Sequence, residues 1–399
     1  MAPTDKPAPS IEAQTFHVGT RQSMLARVQT NEVVNALKKQ WPQHAFEIHA
    51  MATKGDNNQR DPLHKFNEKA LWTQELEIKL QEGGLDLIVH SLKDMPTQLP
   101  NDLSLGGVTE RHDPRDALVV KPTLADRVRS LGDLEDGSVV GTSSLRRIAQ
   151  LRRFYPNLKF TDVRGSIGTR LAKLDNPDSE YSAICIAVAG LDRLGMGNRI
   201  TAYLTKDNGG MLHAVGQGGL GIEIRKGDAR VKELLDPIID ERSLRAALAE
   251  RSIMRTLEGG CSVPIGVESE WVSKKSSLTS NAGTGVGVGI KPAEEYHHLT
   301  GVAQPPSDSN VGFSTSTNTA ARDDESDGLT DELSIRAIVV SLDGKEAAEV
   351  DAMAKIGSRA DADEFGHEVA RQLVEKGADK ILQAINLNRE IIEDQNKGA

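Results

Sequence analysis

The sequence predicts an α/β protein, with two α/β units of similar size followed by a smaller α+β domain. Three observations carry this. Short apolar runs alternate with helical patterns through the first part of the chain, the signature of a parallel sheet. The alternation restarts near residue 137. Beyond residue 264 the pattern becomes alternating strands and then one long helical stretch.

The elements follow in order. "FHVGTR" reads as a strand, and "SMLARVQTNEVVNALKKQW" as a helix with Leu25, Val33, Ala36 and Leu37 on one side. "AFEIHAMAT" is the next strand. "LWTQELEIKLQEG" is a helix closed by Gly83 and Gly84. "LDLIVH" is a continuous apolar run, as expected of a strand buried on both faces. The second unit reads "GSVVGT" (strand), "SLRRIAQLRRF" (helix), "LKFTDV" (strand), "GTRLAKL" (helix) and "SAICIAVA" (strand). "GGLGIEIR" adds a strand. "DARVKELLDPI" and "ERSLRAALAERSIMRTLEGG" are helical, the second ended by Gly259 and Gly260. "IGVESEWV" and "LSIRAIVVSL" alternate like paired strands, and "EFGHEVARQLVEKGADKILQAI" is the closing helix. Residues 273–332 are rich in Ser, Thr, Gly, Asn and Asp and predict a disordered insertion in an overgrown hairpin. The Pro- and Ala-rich residues 1–14 predict a disordered start.

Composition narrows the function. The 399 residues carry a formal charge of −10, which argues against nucleic acid or an anionic membrane as partner. Two cysteines make no disulfide framework, and neither CxxC nor HExxH is present, so no metal site is expected. No apolar run approaches bilayer length, and "MAPTDKPAPSIEAQ" has no apolar signal core. A cytoplasmic protein with free thiols is expected.

Against this acidic background, cations gather at predicted strand ends: Arg21, Lys93, Arg146, Arg147, Arg164 and Arg170. Ligands of open α/β sheets bind beyond the carboxyl ends of the strands. "GTSS" also leads into a helix, whose free N–H groups favour an anion. Matching clusters in two units predict a basic cleft for a polyanionic small molecule, since guanidinium forks suit carboxylates and phosphates. Asp94, in "HSLKDMP", is either a turn residue or a carboxylate that stabilises developing positive charge. His90 on the same segment reads as a packing residue. Cys185, inside "AICIAVA", reads as core. Cys261 sits in a Gly-rich loop, "LEGGCSVPIG", where packing does not explain it. On residues alone a two-lobed solute-binding protein and a cysteine-dependent hydrolase stay open.

Eight segments in order give the family: "VGTRQSMLARVQ", "DLIVHSLKDMPT", "RHDPRDALV", "VGTSSLRRIAQL", "VRGSIGTRLAKL", "AVAGLDRLG", "VGQGGLGIE" and "EGGCSVPIG". Together they resemble the porphobilinogen deaminases (hydroxymethylbilane synthases). The resemblance implies two domains like type II periplasmic binding proteins plus a third. They are expected at 15–113 with 216–237, at 114–215, and at 238–399. It implies a dipyrromethane cofactor joined to Cys261 by a thioether, and Asp94 as the catalytic carboxylate. Lys93, Thr142, Ser144, Arg146, Arg147 and Gln217 are implied as cofactor-binding. Arg21, Ser23, Lys65, Lys69, Trp72, Arg164, Arg170 and Arg193 are implied as substrate-binding. The implied substrate is porphobilinogen, a pyrrole bearing acetate and propionate, and a monomer is implied, with no membrane or nucleic-acid partner. One segment departs from the family: its usual "GLF" followed by Lys is written "KALWTQELE" here, with Ala70, Trp72 and Gln74 in place. Trp72 is expected to serve as an aromatic lid.

Overall fold

The computed structural model describes residues 13–53, 73–257, 263–274 and 328–385. The first sheet holds β1 (Thr15–Arg21), β2 (Ala45–Met51), β3 (Leu87–Ser91), β4 (Leu103–Val108) and β10 (Leu220–Arg225), ordered β2-β1-β3-β10-β4. The second holds β5 (Asp116–Val120), β6 (Val139–Gly141), β7 (Lys159–Thr161), β8 (Tyr181–Ala187) and β9 (Ala202–Leu204), ordered β7-β6-β8-β5-β9. The two orders are the same plan. Three strands run parallel, a fourth lies antiparallel between the third and the edge, and that fourth strand begins where the chain has just crossed from the other lobe. This is the type II periplasmic-binding-protein-like arrangement.

The sheets are therefore mixed, where the strand–helix alternation predicted purely parallel ones. The cause is the double crossing. β5 and β10 enter their sheets from the hinge side and run against β8 and β3. β4, β5 and β9 went unread in the sequence: β4 carries Gly106 and Gly107 inside it, β5 opens on a charged residue, and β9 is only three residues long.

Helices α1 (Met24–Gln40), α2 (Gln74–Gln81), α3 (Leu145–Phe154), α4 (Ile167–Asp175), α5 (Val188–Arg193) and α6 (Ala229–Leu235) cover the lobes. α1 buries Val33, Val34 and Leu37 against Phe16, Val18 and Leu87. Each such fully buried side chain contributes roughly 1.5–3 kcal/mol by leaving water. In the second lobe the sheet is apolar on both faces. Leu118 and Cys185 pack on one side, Ala117, Val119 and Ile184 on the other. Cys185 is wholly buried, and burial pushes its thiol up to about 12, which makes it inert.

The third unit is an antiparallel sheet, β11 (Ile265–Ser273), β12 (Leu329–Val340) and β13 (Ala347–Lys355), packed by α7 (Glu241–Thr256) and α8 (Arg359–Glu375). α7 and α8 approach so closely at Gly366 that a Cβ there would lie 2.1 Å from the Ala249 carbonyl oxygen. The closing helical pattern is interrupted at Gly377, which has φ of +93°, and helix resumes over 378–385. The predicted insertion is narrower than 273–332. Ser273 ends β11 and Leu329 begins β12. Residues 329–332 read as polar loop because Leu329 is their only apolar side chain: it is buried, as is Leu333, while Asp331 between them is exposed. Residues 1–12, Gly259, Gly260 and 275–327 lie outside the described residues.

Candidate active site

The carboxyl ends of the parallel strands face the interlobe cleft and begin three capped helices. Ser23 caps α1 and accepts from the Ala26 N–H at 3.3 Å. Ser144 caps α3, accepting from the Arg147 N–H at 3.5 Å, while the Thr142 hydroxyl accepts from the Ser144 N–H at 3.2 Å. Ser166 caps α4 and accepts from the Thr169 N–H at 3.2 Å. Three positive helix ends at the cleft favour an anion there.

Asp94 lies in the single 3-10 turn Leu92–Asp94 that follows β3. A small pocket at this point is lined by Arg21, Ser23, Gln29, Thr73, His90 and Asp94. The next two residues are held from the third unit. Arg251 of α7 donates to the Met95 carbonyl at 3.2 Å and to that of Pro96 at 2.5 Å. His90 is buried and pairs with buried Glu223 at 2.9 Å, the packing role expected of it.

Lys93, Gln217, Arg146 and Arg147 converge on a residue the sequence reading passed over, Asp116. Arg146 Nη1 donates to Asp116 Oδ2 at 2.8 Å and to the Leu212 carbonyl at 2.6 Å. Arg147 donates to Asp116 Oδ1 from Nε at 3.1 Å and Nη2 at 2.6 Å, and to the Cys185 carbonyl at 2.7 Å. Gln217 Nε2 donates to the same Oδ1 at 2.9 Å, and Gln217 Oε1 accepts from Lys93 Nζ at 3.4 Å. Burial alone would raise the Asp116 carboxyl. The two guanidiniums outweigh it and hold the group well below the carboxylate range. The sequence signal was a lone Asp opening the apolar run "DALVV". A charge at the head of a fully buried strand needs partners.

The network continues through the hinge. Arg111 donates to the Gln217 carbonyl at 2.8 Å and pairs with buried Glu250 of α7 at 2.6 Å. Glu250 also accepts from the Gly216 N–H at 2.7 Å. Gly218, with φ of +86°, brings its backbone so near that a Cβ would lie 2.3 Å from the His112 oxygen. Arg193 is placed in this hinge rather than on the cleft wall. It is 2% exposed, donates to Glu32 of α1 at 3.0 Å and to the Gly218 carbonyl at 3.2 Å. Glu32, which also meets His112 at 3.0 Å, is drawn down to about 2, because the charges of Arg193 and His112 overcome its burial.

Three cations crowd the same region. Burial, together with the charges of Arg147 and Arg146, brings Lys93 down to about 8 against the pull of Asp94 and Asp116. Burial and the neighbouring Arg147 and Arg164 bring Arg170 down to about 10, with Asp94 acting the other way across the cleft. Arg164 Nη1 is buried with no hydrogen-bond partner among the described residues. Lys65, Lys69, Trp72 and Cys261 lie outside the described residues, as do Ala70 and the loop around the cysteine. Among the described residues no helix is long and apolar enough to cross a membrane.

Comparison with known proteins gives the family. Residues 16–233 match the family model described as "Porphobilinogen deaminase, dipyromethane cofactor binding domain", and residues 244–285 match the C-terminal domain of the same family. The porphobilinogen deaminase of Yarrowia lipolytica is 44% identical, over 94% of this chain and 95% of that protein. That of Saccharomyces cerevisiae is 42% identical over 94% and 98%. That of Synechococcus elongatus is 48% identical over 68% and 82%. Among solved structures the methionine-binding protein MetQ overlays 56% of this chain and 89% of its own at TM-score 0.34 and 14% identity, too slight a likeness to build on. With matches to both family domains and this identity over nearly the whole length, the chain belongs to the porphobilinogen deaminase family.

Proposed function

We propose that the chain is a hydroxymethylbilane synthase, a monomeric cytoplasmic transferase that joins four porphobilinogen molecules stepwise to a dipyrromethane primer on Cys261. Ammonia leaves at each addition, and hydrolysis releases the linear tetrapyrrole. The observation that carries this reading is the crowding of cations at this site: Arg164 keeps a buried N–H with no hydrogen-bond partner among the described residues, and Arg170 is shifted down by burial and by the charges of Arg147 and Arg164. A chain of pyrroles bearing acetate and propionate supplies anions, so the residues present fit the cofactor. When bound, the dipyrromethane supplies a nucleophilic pyrrole carbon.

The protein's own residues do the rest. Lys93, Arg164 and Arg170 hold side-chain carboxylates, with Lys65 and Lys69 assigned to the same task by family position. Arg21 and the capped starts of α1 and α3, at Ser23 and Ser144, receive further carboxylates. Arg146 and Arg147, committed to Asp116, form a fixed positive wall, and Gln217 ties it to Lys93. Arg193 acts on the substrate indirectly, by fixing how the lobes meet at Glu32. Asp94 is the catalytic carboxylate. It accepts from the pyrrole N–H and stabilises the positive charge that develops on the substrate as ammonia departs. The lobes 15–113 with 216–237 and 114–215 act as the two jaws. Residues 238–399 present the cysteine loop.

The test is single-turnover kinetics on preassembled holo-protein, following the covalent elongation complexes by mass. Asp94→Asn keeps size and removes charge. It should slow elongation by roughly 10²–10³, the scale for one preorganised electrostatic group. Binding should change less, because the charge it meets arises mainly in the transition state. Elongation near the unmodified rate would mean that Asp94 is only a turn residue.

A further inference from the structure

In the first sheet, β1 and its neighbour β2, the edge strand, carry a cluster that the proposed chemistry does not use. His17 on β1 lies opposite Glu47 on β2, and Gly19 lies opposite His49. Glu47 and His49 are two residues apart, so their side chains leave the same face. The ring nitrogens His17 Nδ1 and His49 Nε2 are 2.9 Å apart, and His17 Nδ1 is 3.5 Å from Glu47 Oε2. One ligand atom from each of the three residues lies within 4.8 Å of the others.

We propose that His17, Glu47 and His49 form a binding site for a divalent d-block cation of the Zn²⁺ class. Two ligands held about 2.0–2.1 Å from a tetrahedral Zn²⁺ lie roughly 3.3–3.4 Å from each other. The nitrogen–oxygen pair already has that spacing, and the two nitrogens need to part by roughly half an ångström. The side chains can move that far, since those of His17 and Glu47 are 40% and 61% exposed. The backbone is held in place: the His17 N–H donates to Asp86 Oδ2 at 2.8 Å, and the β1–β2 ladder runs along the whole of both strands. Two imidazoles and one carboxylate suit Zn²⁺, Co²⁺, Ni²⁺ or Cu²⁺, whereas Ca²⁺ and Mg²⁺ take oxygen-rich sets. Three protein ligands leave a position open for water. A cation here pins β2 to β1, and because it binds the folded sheet alone it stabilises the lobe by linkage. The sequence offered no hint because linear zinc patterns place their ligands on one segment, and these come from two strands.

The experiment uses full-length holo-protein stripped with chelator. Co²⁺ is added first and its ligand-field spectrum recorded, then Zn²⁺ is titrated calorimetrically and thermal unfolding is measured with and without it. One equivalent of Co²⁺ should bind with the bands of nitrogen and oxygen ligation and be displaced by Zn²⁺. Zn²⁺ should raise the unfolding midpoint. Glu47→Gln, at an exposed side chain, and His49→Gln, at a half-buried one, should each weaken binding by about 10- to 100-fold and remove the thermal shift, a loss at least as large as that from disturbing outer-shell partners. Replacing His297 and His298 with Gln should change neither. The proposal fails if no stoichiometric complex forms, if binding survives His49→Gln undiminished, or if a strong thiolate band assigns the metal to cysteine.

Discussion

Asp116→Asn is the sharpest test of how the cleft is built. The substitution keeps the shape of the side chain and removes its charge. In the native protein Oδ1 accepts from Arg147 Nε and Nη2 and from Gln217, and Oδ2 accepts from Arg146. An amide has one oxygen. Its better rotamer keeps the Oδ1 bonds and turns the NH₂ group against Arg146 Nη1, donor against donor. In either rotamer two guanidiniums, 5% and 6% exposed, lose their counter-charge. Breaking a buried pair from one side costs about 3–5 kcal/mol, and that is the loss expected here. Its pH dependence follows from the sign of the shift. Asp116 is depressed in the folded state, so its contribution is complete above the unfolded value of about 3.9 and is lost only as pH falls through the folded one. The difference between the two proteins should therefore be flat from about pH 5 to 8. Urea unfolding followed by circular dichroism across that range measures it. A loss below about 1 kcal/mol, the scale of an exposed pair, would refute the reasoning. So would a difference that changes steeply between those pH values.

Two further predictions concern binding and the insertion. Because Lys93 is shifted down to about 8, chiefly by burial, its charge in the free cleft is lost as pH rises through that value, so substrate affinity should fall on the alkaline side. Lys93→Met should weaken binding at neutral pH and erase that alkaline limb from a KM–pH profile; a limb left unchanged assigns it to another group. Replacing residues 275–327 with a short Gly-containing turn, which spares β11 and β12, should leave turnover within about twofold, since surface loops tolerate length changes at small cost. A well-folded but inactive product in a steady-state assay would give the segment a function.

Much of the fold was legible because buried strands and capped helices are written locally. "LDLIVH" became β3, and the stretches beginning at Ser23 and Ser144 became α1 and α3, with those serines as their caps. The mixed sheets were not, since whether a strand runs with or against its neighbour depends on the route of the chain through the hinge. In the site, the arginines were readable as an excess of cations at strand ends. Their division into two kinds was not. Arg164 keeps a buried N–H with no partner among the described residues, whereas Arg193 is locked to Glu32, and only the placement of an acid 161 residues away in sequence separates the two. Asp116, Glu250 and Arg251 went unnoticed for the same reason. Each looks ordinary in its segment and gains meaning from partners on other elements.

The measurement that tests the central claim most directly is the intact mass of the purified protein and of two cysteine variants. The account predicts that the unmodified chain and Cys185→Ser carry an added mass equal to a dipyrromethane, and that porphobilinogen adds further increments of one pyrrole unit each. Cys261→Ser should carry neither. An adduct that persists on Cys261→Ser, or an unmodified chain that turns over substrate with no adduct, would contradict it.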